Sequence, residues 1–250
     1  MELNIEFQES NSDIGFQLTE TQEKIDLQFQ DFLFISGETE KKEDHSLFQR
    51  VEYIVSDEAS YIDTDFIADD KSGIELVAAF PLRIDRVPIG SRFDSGMTRF
   101  YVTYPALDKY VYCCWNGSWK VQLASSIELN KKYTWRTNLF NKRQWQILNE
   151  DGSTKLLKPF SGVDTTELSK QHCPVRLFAI SRGDGVGGTP RAFTFYSARL
   201  TQGSEVVREY IPCYRKSDGE IGVWERYTEQ FLPNQGTGAF TKGPDVEWNI

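Results

Sequence analysis

Apolar residues recur at every second position in short runs along most of this chain, and a helical spacing is hard to find. Near the start Leu3, Ile5 and Phe7 alternate with polar residues, as do Ile14, Phe16 and Leu18, and then Ile25, Leu27 and Phe29. Each set lies 11 residues beyond the one before, so the segment reads as three repeated strands. Polar turns such as Ser10-Asn11-Ser12-Asp13 separate them. A sheet this small has one apolar face that it cannot bury alone. That face needs the rest of the chain, a second copy or another protein, and residues 1–37 are read as an oligomerising or docking segment.

From Gln49 onward the same alternation continues, with turn signals between runs. Residues 74–80, 98–104, 175–180, 192–200 and 206–212 all read as strands. Residues 110–114 and 119–123 flank Trp115-Asn116-Gly117-Ser118, where Asn-Gly supplies the two positive-φ residues of a type I′ hairpin turn. Residues 135–140 and 143–148 form a second pair about Asn141-Lys142, with Trp135 and Trp145 expected in the core. Many short strands without a helical period predict an all-β fold, a two-sheet sandwich or a barrel. Between the two regions, Gly37-Glu38-Thr39-Glu40-Lys41-Lys42-Glu43-Asp44 holds no apolar residue. It predicts a linker over residues 38–48 and a main domain over 49–250.

Charge sharpens this division. Residues 1–50 carry 12 Asp and Glu against 4 Lys and Arg, nearly all of the chain's formal net charge of −9. An acidic chain is a poor sequence-independent partner for nucleic acid, which needs a basic face. No apolar run approaches the roughly 18 residues of a membrane span, so membrane insertion is not expected. The opening Met1-Glu2-Leu3-Asn4-Ile5-Glu6 is acidic and alternating, unlike a secretory signal, and predicts synthesis in a cytoplasm. Cys113, Cys114, Cys173 and Cys213 include no C-x-x-C pair and read as reduced, mostly buried thiols. His45 and His172, the two histidines, read as surface or turn residues.

Two passages carry a resemblance. The first is Val51-Glu52-Tyr53-Ile54-Val55-Ser56 with Tyr61-Ile62-Asp63-Thr64-Asp65-Phe66. The second runs from Arg208-Glu209-Tyr210-Ile211-Pro212-Cys213-Tyr214-Arg215-Lys216-Ser217-Asp218-Gly219 through Gly222-Val223-Trp224-Glu225 to Asn234-Gln235-Gly236-Thr237-Gly238-Ala239-Phe240-Thr241-Lys242-Gly243-Pro244. Together they resemble the opening and closing patterns of concanavalin A-like, laminin-G-type jelly-roll domains in phage, prophage and gut-bacterial surface proteins. The chain departs from that pattern at Asp65, where Gly is usual, and at Trp224-Glu225, where Tyr-Asp is usual. The resemblance implies a two-sheet jelly-roll (concanavalin A-like) sandwich, preceded here by the small N-terminal β-repeat. It further implies a carbohydrate-binding module on a virion tail, baseplate or fibre, with host surface polysaccharide as partner. Other virion proteins would meet residues 1–37, and the chain is expected to be a homo-oligomer. The alternative is a structural decoration or baseplate protein whose jelly roll makes protein contacts only.

Catalysis is not expected. Jelly-roll glycosidases need two carboxylates about 5–9 Å apart, commonly spaced Glu-x-Asp-x-x-Glu, and no such motif occurs here. The candidate ligand residues are Trp115, Asn116 and Trp119 at the hairpin tip, where a stacking ring and a planar amide would suit a sugar. A cross-strand aromatic pair would explain the two Trp equally. The loop Ser181-Arg182-Gly183-Asp184-Gly185-Val186-Gly187-Gly188 brings four glycines beside Arg182 and Asp184, a polar fork or a plain connection. Its Arg-Gly-Asp string also spells an integrin motif, a three-residue match that arises easily by chance. The laminin-G likeness also implies calcium at a loop rim. Asp63 and Asp65, two apart on a strand, are the candidate metal ligands, with Asp69, Asp70, Asp94 and Asp184 as further oxygen donors.

Overall fold

A computed structural model describes residues 5–10, 13–18, 45–69, 71–81, 86–92, 99–104, 110–113, 120–122, 128–138, 144–159, 173–182, 185–187 and 192–248. The chain divides into two compact units, Met1–Lys42 and Glu43–Ile250. The first holds β1 (Ile5–Ser10) and β2 (Asp13–Leu18), antiparallel, with Ile5 opposite Leu18 and Phe7 opposite Phe16. These are two of the three repeated runs. The third, at Ile25, Leu27 and Phe29, lies outside the described residues.

The second unit contains β3 (Phe48–Arg50), β4 (Ile54–Ser56), β5 (Ile62–Asp63), β6 (Ser72–Ala79), β7 (Arg86–Arg92), β8 (Arg99–Tyr104), β9 (Tyr110–Cys113) and β10 (Lys120–Gln122). Then follow β11 (Tyr133–Asn138), β12 (Gln144–Leu148), β13 (Thr154–Pro159), β14 (Arg176–Leu177), β15 (Ile180–Arg182) and β16 (Gly185–Gly187). The chain closes with β17 (Thr194–Gln202), β18 (Glu205–Arg215), β19 (Ile221–Glu225), β20 (Gln230–Pro233) and β21 (Phe240–Lys242). One sheet runs β10-β9-β8-β7-β14-β5, with β15 parallel to β7 and β16 beside β15. The other runs β13-β12-β11-β6-β17-β18-β19-β20, with β3 on β18, β4 on β17 and β21 on β4. No helix occurs among the described residues. The two sheets pack as a β-sandwich.

Alternation makes the core. Ile62, Ile89, Leu177 and Phe178 of the first sheet meet Leu76, Trp135, Phe195, Ala198, Leu200, Tyr210 and Val223 of the second. Each such large side chain contributes on the order of 1.5–3 kcal/mol when fully buried. The intervening residues face outward, and across the second sheet they form a charged row. Arg136 pairs with Glu75, Glu75 with Arg199, Arg199 with Glu209, and Glu209 with Arg226. On β18 and β19, alternate positions instead bury a smaller cluster of Ile211, Cys213 and Trp224, with Phe48, Phe231 and Trp248 packed on it.

Of the linker predicted over 38–48, residues 45–48 are described and lie in the second unit, with Phe48 opposite Arg215. His45, read as a surface or turn residue, lies half-buried, its ring stacked on Trp248 at 3.9 Å and 6° and edge-on to Trp224. The polar run hid this contact because its partner lies some 200 residues away. Residues 175–180 are likewise not one strand. Phe178 turns the chain at a φ of 67°, so that β14 and β15 are separate and both pair with β7. Leu177, Phe178, Ala179 and Ile180 are all buried, which is why the run reads as strand in sequence.

Candidate functional site

The hairpin tip and the glycine loop fall largely outside the described residues. This holds for Trp115, Asn116, Trp119 and Asp184, and for Asp70 and Asp94. The strands flanking the tip are present as expected, with Tyr112 opposite Lys120 and Val111 opposite Val121. Arg182 ends β15, its backbone opposite Gly185 on β16 and Arg92 on β7.

Asp63 and Asp65 are each held by an arginine from a different strand. The register of β14 on β5 sets Arg176 opposite Asp63, while Leu177 and Ile62 point together into the core. Arg176 donates from Nε and Nη2 to the two oxygens of Asp63. Its guanidinium carbon lies 4.7 Å from the centre of the Tyr61 ring. The third nitrogen, Nη1, is buried and makes no hydrogen bond among the described residues. The strained turn at Phe178 adjoins Arg176, its amide donating to Pro88 O at 2.6 Å.

Asp65 is bound by a different arginine, from the other sheet. Arg208 of β18 donates from Nε at 3.1 Å and from Nη2 at 2.9 Å, one bond to each carboxylate oxygen. This fork holds the Asp65 carboxyl below the usual carboxylate range. Asp69 is engaged too, accepting from Gln202 Nε2, Lys71 N and Ser72 Oγ. Among the described residues no three or more His, Cys, Asp or Glu side chains group as metal ligands do.

The passages that carry the family resemblance meet each other in space, and their polar residues serve the backbone. Asp57 accepts from Ala59 N, Ser60 Oγ and Ala239 N, which bridges the chain after β4 to the chain before β21. Asn234 accepts from Tyr61 N and Gly236 N and donates to Gly238 O. Gly236 lies so close to Ala59 that an added Cβ would collide with its carbonyl oxygen. The motif is thus a seam between opening and closing strands. It positions Tyr61, whose backbone is bonded on both sides by Asn234 and Gln235.

A second polar and aromatic group lies on the outer side of the second sheet. Tyr53 and Tyr196 meet at 5.6 Å and 64°, Lys132 Nζ stands 4.6 Å above the Tyr196 ring, and Glu150 lies 3.4 Å from Lys132. Neither this group nor the Tyr61–Arg176 contact is visible in sequence. The alternations Tyr-Ile-Asp and Val-Arg-Leu show which residues share a face, but only the strand register shows that the faces adjoin.

No family model matches the chain, and no curated protein matches it either. A solved structure similar in part is that of a Bacteroides ovatus protein provisionally assigned to carbohydrate binding, with a TM-score of 0.47 and 10% identity. The match covers 79% of this chain and 62% of that one, so this chain spans less than two thirds of its length.

Proposed function

We propose that the chain is a non-catalytic carbohydrate-binding module of a phage virion, attaching a tail, baseplate or fibre to a host surface glycan. One observation carries the reading. Arg176 is stacked on Tyr61 and forked on Asp63, whose carboxylate is more than a third exposed. Sugar hydroxyls suit such a group, since each can accept from a guanidinium N–H and donate to a neighbouring carboxylate in one plane. Trp115, Asn116 and Trp119, with Arg182 and Asp184, are proposed as further contacts from the loops. The N-terminal strands of residues 1–37 would join the module to other virion proteins or to its own copies.

Three described carboxylates are held by arginines. Glu209 is paired with Arg199 and Arg226, Asp63 with Arg176, and Asp65 with Arg208. The experiment is a screen of the purified chain on a glycan array and on host cell-wall polysaccharides, with native chain beside Arg176→Met. Selective binding lost in the variant, with an unchanged thermal midpoint, is expected. Because each aspartate already holds an arginine, a chelator should leave binding at Arg176 intact, and loss of binding on chelation would assign calcium to the Asp63–Asp65 region. Failure of the folded native chain to bind any glycan would favour the structural alternative, a decoration or baseplate protein.

A further inference from the structure

We propose that Tyr53 and Tyr196 form a second glycan-binding site, taking the apolar face of a neutral pyranose in the corner between their rings and its hydroxyls on Lys132 and Glu150. This rests on the carbohydrate-binding reading above but uses a different sheet and different residues. The four side chains come from four separate segments: the approach to β4, the entry to β11, the turn after β12, and β17. What brings Tyr196 there is a β-bulge. Pairing between β17 and β6 passes from Phe195 opposite Ala78 to Ser197 opposite Val77, so Tyr196 is the extra residue. Phe195 and Ala198 remain in the core, and two consecutive residues between them leave it. Bulges of this kind re-aim a side chain at a cost in ladder hydrogen bonding, and they concentrate beside functional sites.

The rings are not required by the core. Tyr61, Leu156, Val207, Tyr214, Ile221 and Leu232 pack against the main cluster, whereas Tyr53 and Tyr196 are outside that set. Neither phenol hydroxyl makes a hydrogen bond among the described residues. Tyr53 rests on Gly243, where a Cβ would lie 2.7 Å from the ring. A larger residue there would displace the ring and open the corner. The 64° angle presents two walls, and sugars are held by such walls through their C–H faces.

The surrounding charge selects the ligand class. Lys132 covers one face of Tyr196, which repels a cationic group from that ring. Glu52 and Glu150 act on the Tyr196 phenol, whose pKa is raised by burial first and by these carboxylates after it. Lys132 is paired with Glu150, so the corner offers no unpaired cation to anchor a uronate, sulfate or phosphate. A neutral sugar remains. Lys132 can donate to its hydroxyls, and the exposed Glu150 carboxylate can accept from them.

The test uses the full chain in native gels containing dextran, mannan, xylan or mixed-linkage β-glucan, with alginate as the acidic control. Oligosaccharides cut from the retarding polymer are then titrated calorimetrically. The native chain is expected to bind two oligosaccharides, and Tyr196→Ala and Tyr53→Ala one each, with retardation by the polymer weakened at least about tenfold. Tyr196→Phe, which keeps the ring, should still bind two, and it guards against a variant that merely misfolds. Arg176→Met should also leave one site, and the double variant none. Unchanged stoichiometry in both Tyr→Ala variants, with binding lost in Arg176→Met, overturns the second site and leaves the first. Retardation by alginate alone overturns the neutral-ligand assignment, and no retardation by any polymer overturns both sites.

Discussion

At the end of β19 the buried Glu225 carboxylate accepts from the backbone amides of Glu209, Tyr227 and Thr228 and from the Thr228 hydroxyl. It thereby closes the turn between β19 and β20, and Arg208 stands 3.9 Å away. Removing a buried acceptor with this many donors strands them all. Glu225→Ala should cost about 3 kcal/mol in denaturant unfolding, and a loss below about 1 kcal/mol would mean that water replaces the carboxylate. Gly236→Ala should cost about 1–3 kcal/mol through the clash with the Ala59 carbonyl. Acid should loosen the seam as well. The Ala239 amide holds the Asp57 carboxyl below its ordinary range, and Arg208 does the same for Asp65. A carboxyl whose folded pKa is depressed stabilises the fold above its unfolded value of about 4, and that contribution is lost as pH falls through the folded value. The urea midpoint should therefore drop between pH 5 and about pH 2–3, less steeply in Asp57→Asn; equal slopes in the two proteins would remove Asp57 from the account. At this scale the sequence was legible only in part. Asp63 and Asp65 stand out by their spacing, but the arginines that hold them come from β14 and β18, and no local pattern announces a partner 113 or 143 residues away.

Period-two alternation located most strands because a two-sheet core demands it of every strand it buries on one side. It could not show where pairing changes. Pro212, lacking an amide proton, sits in the middle of β18, where the neighbour on one side passes from β17 to β3. The bulge at Tyr196 and the turn at Phe178 are similar: each sits inside an apolar run and is set by the partner strand. The edge strand β3 depends on the C-terminal tail. Trp248 stacks on His45 and donates from Nε1 to Phe48 O at 3.5 Å, while Gln49 donates to Val246 O at 2.9 Å. In Trp248→Ala, hydrogen exchange should accelerate at Gln49 and Arg50 and along the facing edge of β18, with β6 and β17 protected as before. Acceleration spread evenly over both sheets would show instead that the tail stabilises the whole unit.

For the whole molecule the uneven charge matters more than its sum. The acid-rich first 50 residues leave the rest of the chain nearly balanced within a net charge of −9. A near-neutral sandwich that binds a neutral glycan should do so with little dependence on salt, up to about 0.5 M NaCl, because few ion pairs with the ligand are there to be screened. Each corner or fork on such a surface offers a handful of contacts, so single sites are weak, and strength must come from presenting several at once. The two proposed sites per chain would supply part of this, and association through the N-terminal strands would supply the rest. Deleting residues 1–37 should therefore lower the oligomeric mass in sedimentation. It should also reduce retention on immobilised polysaccharide by about a hundredfold or more while leaving the affinity for a short oligosaccharide unchanged. The split between the two readouts carries the argument. If retention and mass are both unaffected, the strands dock onto another protein or their own domain. If oligosaccharide affinity falls as well, the N-terminal unit contributes to the sugar site itself.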